Sequence, residues 1–209
     1  MQIHTLILGN CMTNCYLASG DGVHCVVIDP ASDAERLCAE IQKHAYTPDA
    51  IFLTHTHGDH IQALPELVKH YPVPVYLHVN DVPALTAPAL NLSQALFGAP
   101  LVYTGPFTAV SDGEIIHGGG AAFSVLYTPG HTPGSVCYRY EPEKILFTGD
   151  TLFASTVGRT DFPGGSTKVL LNSLKKIAAL GETADYAVYP GHNAATTLAR
   201  EKRYNPYLS

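Results

Sequence analysis

The sequence predicts an α/β fold in which two central sheets face each other with helices outside. Three observations predict it. Apolar runs of strand length recur in both halves of the chain. Each half is a series of strands followed by helices. Short loops of His, Asp, Gly and Pro close several of these strands, which gathers the chemistry at strand ends. No repeat in residue identity, low-complexity tract or linker composition interrupts the 209 residues, so one domain over 1–209 is expected.

Taken in order, residues 2–8 read as a strand. Thr13 to Ala18 and Val23 to Asp29 read as two more, joined by the turn Ser19-Gly20-Asp21-Gly22. Ser32-Asp33 caps a helix running to about His44, with Ala34, Leu37, Cys38 and Ile41 on its apolar face. Pro48 breaks the pattern, and Ala50 to Leu53 is a short buried strand. Ile61 to His70 reads as a helix with Pro65 as its weak point, and Val73 to Leu77 as a strand. From Asp81 to Thr108 four prolines disrupt the periodicity, which predicts a short helix or two and a long surface connection suited to substrate contacts. Strands follow at roughly 113–117, 121–127, 135–140 and 144–148. Thr167 to Leu180 is an amphipathic helix with Val169, Leu170, Leu174, Ile177 and Ala178 on one face. Ala184 to Tyr189 is a strand and Thr196 to Arg203 a last helix.

Composition excludes several function classes. Hydrophobic residues make up 46% and charged residues 14%, enough for a large core. A net charge of −6 argues against a nucleic-acid partner, which would need a basic face for the phosphates. The opening Met1-Gln2-Ile3-His4-Thr5-Leu6 lacks the basic and apolar regions of a signal peptide, and no apolar run approaches the ~20 residues of a membrane span. A cytoplasmic protein with no membrane partner is expected, and the pattern specifies no oligomeric state. The five cysteines are odd in number and form no CxxC pair, so reduced thiols are expected. None lies near the histidines in sequence, and no thiolate ligand is expected. Tyr103 and Tyr138 are assigned to the core.

The compositional oddity is 11 histidines, three of them in Thr54-His55-Thr56-His57-Gly58-Asp59-His60, directly after an apolar strand. Imidazole and carboxylate are the ligands that borderline divalent metals take. Surface would surround them with mixed polar residues, and a core would leave their protonatable groups unpaired. Three further strand ends carry such groups: His131 between Pro-Gly pairs, Asp150 after Gly149, and His192 after Pro190-Gly191. Taken singly, a Gly-Asp is often a turn and a loop histidine is usually solvated. Taken together, five histidines and two aspartates at strand ends suffice for two metal ions and leave positions open for water.

His55-x-His57-x-Asp59-His60 followed by His131, Asp150 and His192, in that order, resembles the metallo-β-lactamase-fold hydrolases over essentially the whole chain. The resemblance implies a four-layer αββα sandwich. It also implies a partition of the ligands: His55, His57 and His131 on one metal, Asp59, His60 and His192 on the other, and Asp150 bridging. Zinc is the first expectation, ahead of iron, manganese or mixed occupancy. A finer resemblance, to the hydroxyacylglutathione hydrolases (glyoxalase II), lies in Thr148-Gly149-Asp150-Thr151-Leu152-Phe153 and Thr128-Pro129-Gly130-His131-Thr132-Pro133-Gly134-Ser135. Gly158-Arg159-Thr160-Asp161, Pro163-Gly164-Gly165 and the closing Asn205-Pro206-Tyr207-Leu208 are similar to its short bacterial branch.

This resemblance implies a binuclear thioester hydrolase acting on S-lactoylglutathione or a related hydroxyacyl thioester. Two metals about 3.5–4 Å apart share a hydroxide at neutral pH. Asp150 completes the bridge, and Asp59 orients the hydroxide or takes a proton. A thiolate, with a thiol pKa near ~8.5, leaves without a strong general acid. Arg159 falls where the full-length enzymes place a basic residue for the glutathione glycine carboxylate; its other reading is a structural arginine in a turn. Those enzymes also carry a C-terminal helical domain and an aromatic hydroxyl near the last ligand. Here only a short tail follows His192, and Ala194 stands in that loop, so thioester cleavage is better supported than glutathione recognition. A mononuclear-iron persulfide dioxygenase is the alternative. A lactonase, a β-lactamase and a non-catalytic metal-binding protein rank below it.

Overall fold

Strands buried on both sides carry side chains of two destinations, and this alternation builds the molecule. The computed structural model describes residues 1–208. The first sheet contains β1 (Gln2–Leu8), β2 (Thr13–Ser19), β3 (His24–Ile28), β4 (Thr47–Phe52), β5 (Val75–His78) and β6 (Thr108–Val110), in that spatial order. The first three strands pair antiparallel and the rest parallel. The second sheet is built from β7 (Ile115–Gly118), β8 (Ala121–Tyr127), β9 (Val136–Tyr140), β10 (Ile145–Gly149), β13 (Ala187–Pro190) and β14 (Thr196–Thr197). A small hairpin, β11 (Leu152–Phe153) and β12 (Thr156–Val157), stands apart.

In β3, Val26 and Ile28 point between the sheets, as do Ala50 and Phe52 of β4 and Ile145 and Phe147 of β10. Cys25, Val27, Ile51 and Leu53 point the other way, toward α1 (Ala34–Lys43) and α3 (Leu64–His70). Leu146 of β10 and Val188 of β13 face α6 (Thr167–Leu180) and α7 (Leu198–Tyr204). The layers are therefore helix, sheet, sheet, helix. With both faces covered, the parallel strands read as near-continuous apolar runs. Each hydrophobic side chain so buried contributes about 1.5–3 kcal/mol.

Three short helices complete the set: α2 (Gly58–Ile61), α4 (Val82–Leu85) and α5 (Ser93–Phe97). The helix expected from Ile61 to His70 is divided, because Pro65 occupies the first turn of α3, where its missing N–H costs nothing. Pro48 lies inside β4 rather than before it. It pairs with Cys25 just where the β3–β4 register shifts, so the sheet tolerates it at an irregularity. On α6 the buried residues are Leu170, Ser173, Leu174 and Ile177, whereas Val169 is exposed. Tyr103 and Tyr138 are buried in the core. Among the described residues, no helix is long and apolar enough to cross a membrane.

Strands β3, β4, β5, β8, β10 and β13 all deliver their following loops to one edge of the sandwich. Backbone bonds lock the two sheets together there. Val136 N donates to Thr54 O at 2.9 Å and Asn14 N to Gly191 O at 2.7 Å, while within the second sheet Gly191 N donates to Gly149 O at 2.8 Å.

Candidate metal centre

All seven sequence-predicted residues meet at this edge. Nitrogens of His55, His57 and His131 lie within 4.8 Å of one another, and so do ligand atoms of Asp59, His60 and His192. His55 and His57 sit in the extended loop leaving β4, and Asp59 and His60 in α2, one turn on. His57 is thus the hinge residue where loop becomes helix. Asp150 lies beside both trios. Its Oδ2 is 3.5 Å from His131 Nε2 and 3.5 Å from His192 Nε2, while its Oδ1 is 3.3 Å from His60 Nε2.

Hydrogen bonds set which nitrogen of each ring faces the centre. His60 Nδ1 donates to Asp29 Oδ2 at 2.9 Å, and His131 Nδ1 donates to the Arg159 carbonyl at 2.7 Å. The Thr54 hydroxyl donates to Asp29 at 2.6 Å, so it accepts from His55 Nδ1 at 3.1 Å. In the neutral ring, each arrangement leaves Nε2 with its lone pair turned inward. His57 presents Nδ1 instead, 2.9 Å from His131 Nε2. On the other side, the Thr13 hydroxyl donates to Asp59 Oδ2 at 3.0 Å.

The electrostatics are those of a cation site. Burial pushes the His55 and His57 imidazoles well below their ordinary value, aided by neighbouring histidines, so both are neutral donors. Burial alone would raise the carboxyls of Asp59 and Asp150, but His60 and His192 beside them hold both down as carboxylates. The same pairings overcome burial at His60, raised well above its ordinary value, and at His192, raised to about 9. Among the described residues, four buried side-chain atoms lack a hydrogen-bond partner: Nε2 of His55, His57 and His60, and Oδ1 of Asp150. Orphaned buried groups are rare because they cost free energy. Three of them, with Nδ1 rather than Nε2 of His57, belong to one cluster of N and O donors suited to divalent metal ions. The residues present fit such ions.

Two glycines permit the approach. Gly149 has φ 47°, and a Cβ there would collide with the Thr54 hydroxyl; a Cβ on Gly191 would collide with Asp150 Oδ1.

Sequence reasoning missed three residues of this region. Asp29, 2% exposed, accepts from Thr54 N, Thr54 Oγ1 and His60. Its Asp-Pro context reads as a turn, although it closes a parallel strand as the ligand loops do. Asp81, also 2% exposed, accepts from Thr56 N, Thr132 Oγ1 and Gly134 N, tying the His55–His60 loop to the His131 loop. The third is Cys11. The sequence placed no cysteine near the histidines, but the loop after β1 folds back and Cys11 lines the cleft, where burial and the charge of Asp59 raise its thiol.

A cleft of about 400 Å³ opens over the trios. Arg159 lies on its rim, with Nε and Nη2 on the Asp161 carboxylate at 2.7 and 2.6 Å and its guanidinium 4.0 Å above the Phe162 ring. Leu92, just before α5, and Leu96, within it, line the cleft. Leu92 holds φ 63°, a left-handed conformation costing a residue of this kind about 1–3 kcal/mol.

The chain is similar to known proteins over nearly its whole length. The sequence model of the metallo-beta-lactamase superfamily matches residues 8–192. Hydroxyacylglutathione hydrolase GloC of Haemophilus influenzae is 33% identical over 212 residues, spanning 100% of this chain and 99% of that protein. The crystal structure of BLEG-1 B3 metallo-beta-lactamase superposes with a TM-score of 0.93 at 39% identity, covering 100% of both chains. That of TTHA1623 in a di-iron-bound form superposes with a TM-score of 0.88 at 36% identity, covering 98% of this chain and 100% of that one.

Proposed function

This chain belongs to the metallo-beta-lactamase superfamily, whose fold it has and as whose metal-dependent hydrolase it is built, and from that premise we propose that it cleaves a thioester, S-lactoylglutathione or a related hydroxyacyl thioester. The observation that carries the reading is the full-length likeness to the protein named hydroxyacylglutathione hydrolase GloC.

His55, His57 and His131 would hold one divalent ion and Asp59, His60 and His192 a second, with Asp150 serving both. Zinc, iron and manganese all suit this donor set, and a similar protein is known in a di-iron-bound form. When bound, such ions polarise a carbonyl oxygen and lower the pKa of a bound water toward ~7.

The chain's own groups do the rest. Thr13 and His192 fix the orientation of Asp59, whose carboxylate faces the cleft and accepts a proton there. Asp29 and the Arg159 carbonyl hold the rings of His60 and His131 in one tautomer. The departing thiolate of a thioester needs no proton from a strong acid, since its thiol pKa lies near ~8.5. The Arg159 side chain already serves Asp161, so a carboxylate on the substrate would have to compete for it.

A second reading, β-lactam hydrolysis, is favoured by the likeness to BLEG-1. Metal content measured beside turnover of S-lactoylglutathione, a simple lactoyl thioester and a β-lactam decides between them. Two equivalents of metal with thioester turnover exceeding β-lactam turnover is the expected result. β-Lactam cleavage without thioester cleavage would overturn it.

A further inference from the structure

The cleft offers hydrocarbon where a glutathione site needs charge. Leu92, Leu96, Phe153, Val157 and Phe162 all line it. Glutathione carries two carboxylates, and among the described residues the only Lys or Arg side chain lining the cleft is Arg159, which is held bidentate by Asp161 and stacked on Phe162. Leu96 is 41% exposed, so its apolar surface is open to a bound molecule.

The leucines are held in place. The Asn91 carbonyl accepts from Gly58 N at 2.6 Å, tying the start of α5 to the loop that carries His57 and Asp59. The Asn91 side chain donates to Ala84 O and Leu101 O at 2.8 and 3.0 Å. Gly58 has no Cβ because Phe97, Ser93 and Asn91 press against it. The strained backbone of Leu92 sits at this junction. Strain of this kind persists where the surroundings over-determine it, as they do at ligand clamps. A rigid apolar wall mounted on the metal loop is a device for reading substrate.

We propose that Leu92 and Leu96 are specificity-determining residues that select a thioester whose thiol half is uncharged and rich in hydrocarbon over the glutathione thioester of the same acyl group. This rests on the thioester reading above and narrows it. Each methylene removed from water on such a wall strengthens binding about fourfold, whereas a carboxylate laid against it is desolvated without a free cation to meet it.

The test uses the metal-loaded protein and two lactoyl thioesters, one of glutathione and one of butanethiol. The wild type should show kcat/KM at least about tenfold higher for the butanethiol ester. Leu96→Asn, polar without charge, should lower that value about tenfold or more and slow the glutathione ester less, so the preference collapses. Melting temperature and metal content, measured beside the rates, separate this from unfolding, and Leu96→Met should retain the preference. A wild type that prefers the glutathione ester, or a Leu96→Asn that slows both esters equally, overturns the inference and leaves thioester hydrolysis standing. Failure of the loaded protein to cleave either ester removes the thioester reading and the inference with it.

Discussion

Asp29 and His60 are joined by a 2.9 Å hydrogen bond from the imidazole Nδ1 to Oδ2, and that same oxygen takes the Thr54 hydroxyl proton. Because Thr54 in turn receives His55 Nδ1, one buried carboxylate fixes the tautomers of two histidines from different trios. Asp29→Asn should therefore weaken both metal equivalents, by about 10–100-fold in affinity. Competition with a chelator reads this directly; a variant that loses only one equivalent would show that the Thr54 relay is idle.

The raised values at His60 and His192 make metal uptake a proton exchange. Both rings are cationic in the metal-free protein at neutral pH, and a bound metal requires them neutral. Binding at pH 7 should release protons, and apparent affinity should climb as pH rises toward about 9. Calorimetry in buffers of different ionisation enthalpy measures the release, and a buffer-independent heat would contradict it.

The same shifts govern the stability of the metal-free fold. Folded values above the unfolded ~6.5 give stability that is complete below about pH 6.5 and lost as pH rises through about 9. Chelated protein should therefore unfold at lower denaturant at pH 9.5 than at pH 6, and metal should abolish the difference.

Gly191→Ala puts a methyl against Asp150 Oδ1 and the His60 ring. We expect the variant to fold, to bind less metal and to lose at least about tenfold in kcat/KM. Metal content per chain, beside melting temperature, separates the local clash from global damage.

Asp81→Asn leaves one oxygen for Thr56 and Thr132 but turns an NH2 toward the Gly134 N–H, which now finds a donor instead of an acceptor. The expected cost is about 1–3 kcal/mol of stability, measured by urea unfolding of the metal-free protein.

Much of this architecture was legible in the sequence, for identifiable reasons. The strands of the first half and α6 were visible because burial on both faces makes long apolar runs and burial on one makes a helical stripe. The seven candidate ligands stood out because protonatable groups at strand ends are hard to explain otherwise. Asp29 was hidden because a carboxylate before proline looks like a turn in one dimension. Asp81 was hidden in a segment whose prolines erase periodicity. Cys11 reaches the cleft only through the return of the β1–β2 loop, a contact no local pattern encodes. Strands β6, β11 and β12 are two or three residues long, too short to show alternation.

The Asn14 side chain donates to the carbonyls of Pro190 and Asn193 at 2.9 and 2.8 Å, across 176 and 179 residues of sequence. That clasp has a consequence for timing. On the ribosome, the N-terminal strands and the loop with His55 emerge early, yet the pocket they help to form has no final wall until the last tenth of the chain arrives. A nascent chain halted before Pro190 would carry six of the seven candidate ligands, lack His192, and leave the Asn14 amide without its two carbonyls. Capture of metal in its finished arrangement thus becomes one of the closing events of the molecule's birth, and a late-arriving ion would act as a latch on a contact that spans 179 residues.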